Sequence, residues 1–464
     1  MSRLYLRSHI VIVLAVICLL SLTLSTPGSA YMSVEKEKEL GDKLAKELQH
    51  NLTMIDDPVV KSYVDEIGGR LQKVVRDYRF QYNFYVVKES EPNAFAIPAG
   101  HIFINSGLIR LAANEDELAG VIGHEMAHSS LRHIAKAIER GQRISLATLA
   151  AVIAGAFISR DAKSTAVLTA SAPALAQSLQ LKYTRENEIE ADQRGVSYVL
   201  SAGYDPRGML TFLKKMYRWR RLTSPDIPTY LSTHPGTDHR IAFLSDNFSN
   251  VSIAPDQRAA PAGDVKKVQI RLFVIEDGGS AGVARYAALA QKEPNDVDAL
   301  YGLGISYLML GRSREAVSTF ETALRLAPQD ALILREVGIS YFKAKEIDQA
   351  MTALRTALNT LPSDTTVLYY LAQGSQQQGD WEQSVDFYRK VLELDPQRID
   401  IYYDLGELYS QQDLLGPAHE NFGLYFQKMG KREMALFHFR KALEYHKDET
   451  TRRKLAEQIR SYGQ

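Results

Sequence analysis

Residues 114–128, NEDELAGVIGHEMAH, read as an N-cap and the helix it starts. Asn114 stands where a cap accepts a main-chain N–H, with Glu117 three residues on as a capping box requires. Glu115 and Asp116 suit the positive end of the helix. His124 and His128 are four apart and share one face, so both imidazoles can hold one divalent ion while Glu125 reaches a water beside it. Leu118, Val121, Ile122, Met126 and Leu131 give the helix an apolar side to bury. A bare H-E-x-x-H also occurs as a polar triplet on a solvated helix; the cap and the apolar side favour the buried, metal-holding arrangement.

A hydrolytic zinc site takes three protein ligands and keeps one position open. The third is expected from another helix, and Tyr183 to Asp192 (YTRENEIEAD) is the best source. Glu188 and Asp192 are again four apart, so Glu188 can bind the metal while Asp192 holds a ligand imidazole from behind. Ala191 is small where two helices must approach. Taken alone, such an acidic run is more often a solvated face. Among the other histidines, His101, His133 and His239 read as solvent-facing or locally hydrogen-bonded, and His419, His438 and His446 suggest no site.

The motifs H-E-x-x-H at 124–128 and E-I-E-A-D at 188–192 resemble the zinc metallopeptidase family that includes the HtpX heat-shock protease and the CAAX prenyl proteases. Asn93-Ala94-Phe95-Ala96, with Gly107-Leu108, is similar to that family's active-site edge strand and its exit. The resemblance implies an α+β domain, mostly helical with a small sheet, and a gluzincin-type metalloendopeptidase. It implies one zinc ion per chain on His124, His128 and Glu188, with Asp192 behind a ligand and Glu125 as the general base. The edge strand Asn93–Ala96 would pair with an extended peptide, which suits unfolded or misassembled protein substrates. The T-H-P…R spacing of His234 and Arg240 also resembles the family's. His234 then either approaches the zinc as a gating ligand or merely caps a loop, and Arg240 could stabilise a developing oxyanion.

Upstream, Arg3 and Arg7 precede the uncharged run Ile10–Leu24, and Pro27-Gly28-Ser29-Ala30 follows. This reads as a signal peptide over residues 1–30, the alternative being a retained membrane anchor. Cleavage there removes Cys18, the chain's single cysteine, and leaves a mature protein with no disulfide to form. The expected location is the periplasm, soluble or peripherally membrane-associated. The metallopeptidase domain is expected over 31–249. It includes two apolar segments, 144–158 and 166–179, too short to span a bilayer and read as a helical hairpin in the core or against a membrane surface. Phe80–Val87 reads as a strand, and Asn93–Asn105 as a strand pair turning at Pro98-Ala99-Gly100.

A polar linker is expected over 250–264, followed by repeats over 265–464. Pro294, Pro328, Pro362 and Pro396 are 34 residues apart; Gly304, Gly338, Ala372 and Gly406 share that period, as do Ala316, Ala350, Ser384 and Ala418. A small residue in each helix and a closing proline at this period make an all-α tetratricopeptide solenoid. Ala435 follows Ala418 by half a period, so one helix there should serve two units before a terminal helix from about Glu449. Lys+Arg and Asp+Glu both number 55, which argues against a nucleic-acid binder. A signal peptide and a repeat tail beside this family's motifs imply periplasmic quality control or assembly of outer-membrane proteins. The groove would take a protein partner, with the outer-membrane assembly machinery as candidate. The competing reading is a chaperone or assembly adaptor with latent, gated protease activity.

Overall fold

The computed structural model describes residues 32–76, 79–140, 145–157, 183–223, 229–248, 251 and 253–463, in two compact units that divide between Gly263 and Asp264. The first unit opens with helices α1 (Val34–Asn51) and α2 (Pro58–Val74). Asp57 caps α2, its carboxylate accepting the N–H groups of Val59 and Val60, and Pro58 costs the first turn no hydrogen bond. Strands β1 (Asn83–Val87), β2 (Ala94–Ile97) and β3 (His101–Asn105) form a sheet in the order β1-β3-β2. β1 runs parallel to β3, and β2 antiparallel to it. The expected turn at Pro98-Ala99-Gly100 is present, with Ala99 and Gly100 both at positive φ (66° and 83°).

The helices that follow are α3 (Ser106–Leu111), α4 (Glu115–Ser130), α5 (His133–Arg140), α6 (Leu146–Phe157), α7 (Arg185–Ser201), α8 (Arg207–Thr223), α9 (Thr229–Thr233) and α10 (Thr237–Phe248). Asn114 caps α4 by accepting the N–H of Glu117, but the box does not close on Asn114. The Glu117 carboxylate instead accepts the Ala113 N–H at 2.7 Å and pairs with Lys215 at 2.5 Å, so a charge from α8 completes the start of the motif helix. The first apolar segment forms α6, and Leu149 and Ile153 join Leu44, Leu48, Phe95 and Phe103 in a core between α1 and the sheet. Among the described residues no helix is long and apolar enough to cross a membrane. Residues 1–30 and 166–179 lie outside the described residues.

The second unit contains α11 (Val265–Asp277), α12 (Gly279–Lys292), α13 (Val297–Met309), α14 (Ser313–Leu326), α15 (Ala331–Lys343), α16 (Ile347–Thr360), α17 (Thr365–Gln377), α18 (Trp381–Leu394), α19 (Ile399–Gln411), α20 (Leu415–Lys428), α21 (Arg432–Tyr445) and α22 (Glu449–Gly463). Each proline of the ladder sits two residues beyond a helix end, where its ring no longer meets a carbonyl one turn back. The glycine ladder marks close helix approach: a Cβ on Gly304 would stand 2.5 Å from the Phe320 ring, and one on Gly406 would stand 2.6 Å from Phe422. Asp296, Asp330 and Asp364 cap α13, α15 and α17 in turn. At the half-period step α20 packs against both α19 and α21.

Most of the polar stretch expected as a linker is fastened to the first unit. The Ala259 N–H donates to the Gly203 carbonyl at 2.8 Å, and the Ala262 N–H donates to Glu115 at 2.9 Å. Arg258 pairs with Asp116, and Arg70 donates to the Ala260 carbonyl.

Candidate metal centre

Helices α4 and α7 cross where both lack bulk. A Cβ on Gly195 would stand 3.0 Å from the His124 Cα and 3.1 Å from its N, and one on Gly123 would meet Val199 at 2.8 Å. Ala191 is fully buried on the same side of α7. This approach brings His124 and His128 of α4 to face Glu188 and Asp192 of α7, all within 1% of complete burial. His234 follows α9 and enters the same space, also with no exposure.

One ligand atom each from His124, His128, Glu188 and His234 lies within 4.8 Å of the others. The Nε2 atoms of His124 and His128 are 3.0 Å apart, and His234 Nδ1 is 3.4 Å from His124 Nε2. Glu188 carboxylate oxygens lie 3.4 Å from each of those Nε2 atoms and 3.1 Å from His234 Nδ1. A tetrahedron of zinc–nitrogen and zinc–oxygen bonds near 2.1 Å has edges of about 3.4 Å, so the donor set and its spacing both fit zinc. Glu125 gives the second test: its carboxylate is fully buried, and neither oxygen accepts a hydrogen bond. A buried charge left so costs several kcal/mol in an inert core, roughly, and is retained where chemistry uses it. His234 Nε2 lies 3.5 Å from Glu125 Oε1.

The surrounding groups fix the ligands' orientation. His124 Nδ1 lies 2.9 Å from Asp192 Oδ1, so the carboxylate takes that N–H and leaves Nε2 to the cluster. His128 turns Nδ1 to His133 Nδ1 at 2.8 Å, with its ring stacked on Tyr183 at a centroid separation of 3.7 Å. Arg240, 1% exposed, clasps Asp192 with Nε at 2.8 Å and Nη2 at 2.7 Å, and reaches Glu188 Oε2 with Nη1 at 2.6 Å. Its guanidinium is thus committed to two carboxylates, which is a positioning arrangement. Burial raises the Glu125 carboxyl above the ordinary range, although His234 and His124 pull it back. Burial pushes Glu188 the same way, but His234, Arg240 and the two imidazoles outweigh it and hold Glu188 well below that range.

The family model for Peptidase family M48 matches residues 58–247. That segment belongs to Peptidase family M48. Models described as tetratricopeptide and TPR repeats match residues 279–331 and 376–413 beyond the M48 domain. The chain is 33% identical over 221 residues to the beta-barrel assembly-enhancing protease of Yersinia pestis, covering 47% of this chain and 45% of that protein. The Escherichia coli K12 protein of the same name is 32% identical over 221 residues, with the same coverage. The mitochondrial metalloendopeptidase OMA1 of Arabidopsis thaliana is 35% identical over 160 residues, covering 34% of this chain and 30% of that one. The chain spans about half the length of the curated assembly-enhancing proteases it matches.

Of the expected site residues, Ala94–Ala96 lie in β2 (Ala94–Ile97), an edge of the sheet that packs against α4, and Asn93 immediately precedes it. His101 and His133 are buried hydrogen-bonding residues. His101 lies 3.0 Å from both the Tyr85 hydroxyl and Asp42, and His133 backs a ligand. The roles of His133, Tyr183, Tyr230 and Gly195 escape the sequence. His133 follows His128 by five residues, off the helical face, and the rings of Tyr183 and Tyr230 reach His128 and His234 only through the tertiary fold.

Proposed function

We propose that the M48 domain is a zinc-dependent endopeptidase acting on extended or unfolded protein chains. The observation that carries this reading is the buried set of His124, His128 and Glu188 beside the unpartnered carboxylate of Glu125. Zinc, when bound, supplies the Lewis acidity that peptide hydrolysis needs. Glu125 takes the proton of the attacking water and delivers it to the leaving amine, its carboxylate being buried beside the cluster with neither oxygen engaged in a hydrogen bond. Asp192 and His133 hold the two imidazoles with Nε2 inward, and Arg240 keeps Asp192 and Glu188 in register. An extended substrate would add to the edge strand β2, which is buried here and would have to be uncovered; such pairing reads backbone more than side chains. The repeat unit binds the protein partner that brings substrate. The names of the bacterial relatives, with the N-terminal sequence, support a reading in which this work lies in the periplasm, on outer-membrane protein assembly.

His234 adds latency. Its imidazole occupies the fourth corner that a hydrolytic site keeps open, and Gly236, at φ 80°, gives the loop behind it a pivot. This supports the second reading, an assembly factor whose proteolysis is gated, as a state of the same protein.

Glu125→Gln tests the mechanism. The variant should fold and hold one zinc ion per chain while casein turnover falls by at least about a thousandfold. Ordinary turnover by a zinc-loaded Glu125→Gln protein would falsify it.

A further inference from the structure

The sheet has two edges, and the mechanism uses only β2. The other is β1, about 10 Å away across β3. Its C-terminal end is already paired: the Ile55 N–H donates to the Val86 carbonyl at 2.8 Å, and the Lys88 N–H donates to the Thr53 carbonyl at 2.8 Å, antiparallel through Met54 and Val87. Along a strand every second residue turns its main chain to the same side, so Phe84 and Tyr82 face outward with Val86. The Tyr82 N–H is taken by the side-chain carboxamide of Gln72 at 3.1 Å, an amide oxygen standing where a neighbouring strand's carbonyl would stand. Among the described residues no strand pairs with this edge opposite Asn83–Tyr85.

The space there is open. A cavity of about 620 Å³ lies between β1 and the face of α2 that carries Lys61, Asp65, Gly69 and Gln72. That volume is in the range of sites that enclose a ligand. Of two adjacent glycines of α2, Gly69 lines the cavity and Gly68 does not. A Cβ on Gly68 would collide with the Phe84 ring at 2.2 Å, whereas one on Gly69 would meet nothing within 4 Å. Gly68 is needed for packing; Gly69 leaves room.

We propose that this groove is a second docking site for an extended polypeptide, which adds to β1 antiparallel and continues the pairing that Thr53–Ile55 begins. Its main chain bonds to Phe84 and displaces the Gln72 carboxamide from Tyr82. The occupant is an unfolded segment of a protein substrate, a choice that rests on the endopeptidase reading. A chain held at β1 keeps its cleavable portion at high effective concentration near β2, so the groove lowers KM for long substrates and leaves short peptides unaffected.

The test uses the full chain. Fluorescein-labelled casein is titrated against the zinc-loaded Glu125→Gln protein and against Glu125→Gln carrying Gly69→Phe, which fills the groove from an open helix position. Binding should weaken about tenfold with an unchanged far-ultraviolet spectrum and melting point. In the active background, Gly69→Phe should raise KM for casein while turnover of an eight-residue peptide stays the same. A benzophenone amino acid in place of Lys73, at the groove's rim, should crosslink casein. Equal casein affinity with and without Gly69→Phe, equal loss on casein and the short peptide, or no crosslink from position 73 would each overturn the proposal. Casein held here by a protein that cleaves nothing would sink the endopeptidase reading and leave this one standing.

Discussion

His234 is where a single side chain carries most weight. Its imidazole lies against Glu188 and His124 on one nitrogen and faces Glu125 with the other. If it gates the centre, His234→Ala should keep its zinc on the remaining three ligands and raise casein turnover several-fold. Full zinc with unchanged or lower turnover would leave the histidine a loop cap. A second residue carries a pH effect in the repeat unit. Burial, with Asp400 and Glu407 as like-charged neighbours, pushes the Asp404 carboxyl up to about 6, and its Oδ2 has no hydrogen-bond partner. A raised folded-state value for an acid means that ionisation destabilises the fold. The cost is full above pH 6, shrinks as pH falls from there toward 4, and is absent below. Asp404→Asn should therefore stabilise the protein by about 1 kcal/mol at pH 8, after allowing for solvent screening, and by nothing at pH 3.5. Paired thermal melts at the two pH values check the sign. The clustering of His124, His128 and Glu188 was legible in the sequence because four-residue spacing fixes a helical face before any tertiary structure is known. His133 was not, because a histidine five residues on returns to His128 only when the helix ends between them, at Leu131 and the positive-φ Arg132.

Between elements, the centre depends on how closely α4 and α7 cross. Gly195 sets that distance, since a side chain there would press on the His124 main chain, which has no way to yield. Gly195→Val should force the helices apart, destabilise the first unit by about 1–3 kcal/mol and weaken zinc binding ten- to a hundredfold, read by competition with a chromogenic chelator. Undiminished zinc affinity would show that the crossing tolerates separation. The sequence supplied Ala191 as the small residue of this contact but not Gly195, one turn further on, because nothing local distinguishes a packing glycine from a flexible one. Element boundaries were legible where capping chemistry is strong. Asn114 was right as the cap of α4, while its box closes through Ala113 and Lys215, a partner about 100 positions away. The repeat helices were the most legible of all, since a 34-residue period states the same packing rule several times.

At the scale of the molecule, the two tryptophans fall one to each unit: Trp219 in α8 and Trp381 in α18. Variants that keep one or the other, through Trp381→Phe or Trp219→Phe, therefore report each unit by fluorescence. A metal that binds the folded centre a thousandfold above its Kd contributes about 4 kcal/mol. EDTA should lower the melting midpoint seen by Trp219 by about 10 °C and leave that seen by Trp381 in place. Equal shifts at both tryptophans would show that the units melt as one. The division into a metallopeptidase unit and a repeat unit was visible in the sequence as a change of period, but the attachment of the polar stretch between them was not.

That attachment bears on self-digestion. A stretch rich in alanine, proline and charged residues is the kind of ribbon that enters a peptidase cleft, where several consecutive residues must lie extended. Here Arg258, Ala259, Ala260 and Ala262 are strapped to Asp116, Gly203, Arg70 and Glu115, with the helix at Val265 only three residues beyond. Between these ties and that helix the slack is Gly263 and Asp264, too short to reach into a second copy's cleft. The chain thus withholds residues 258–264 from autolysis, the part of the stretch next to the repeats.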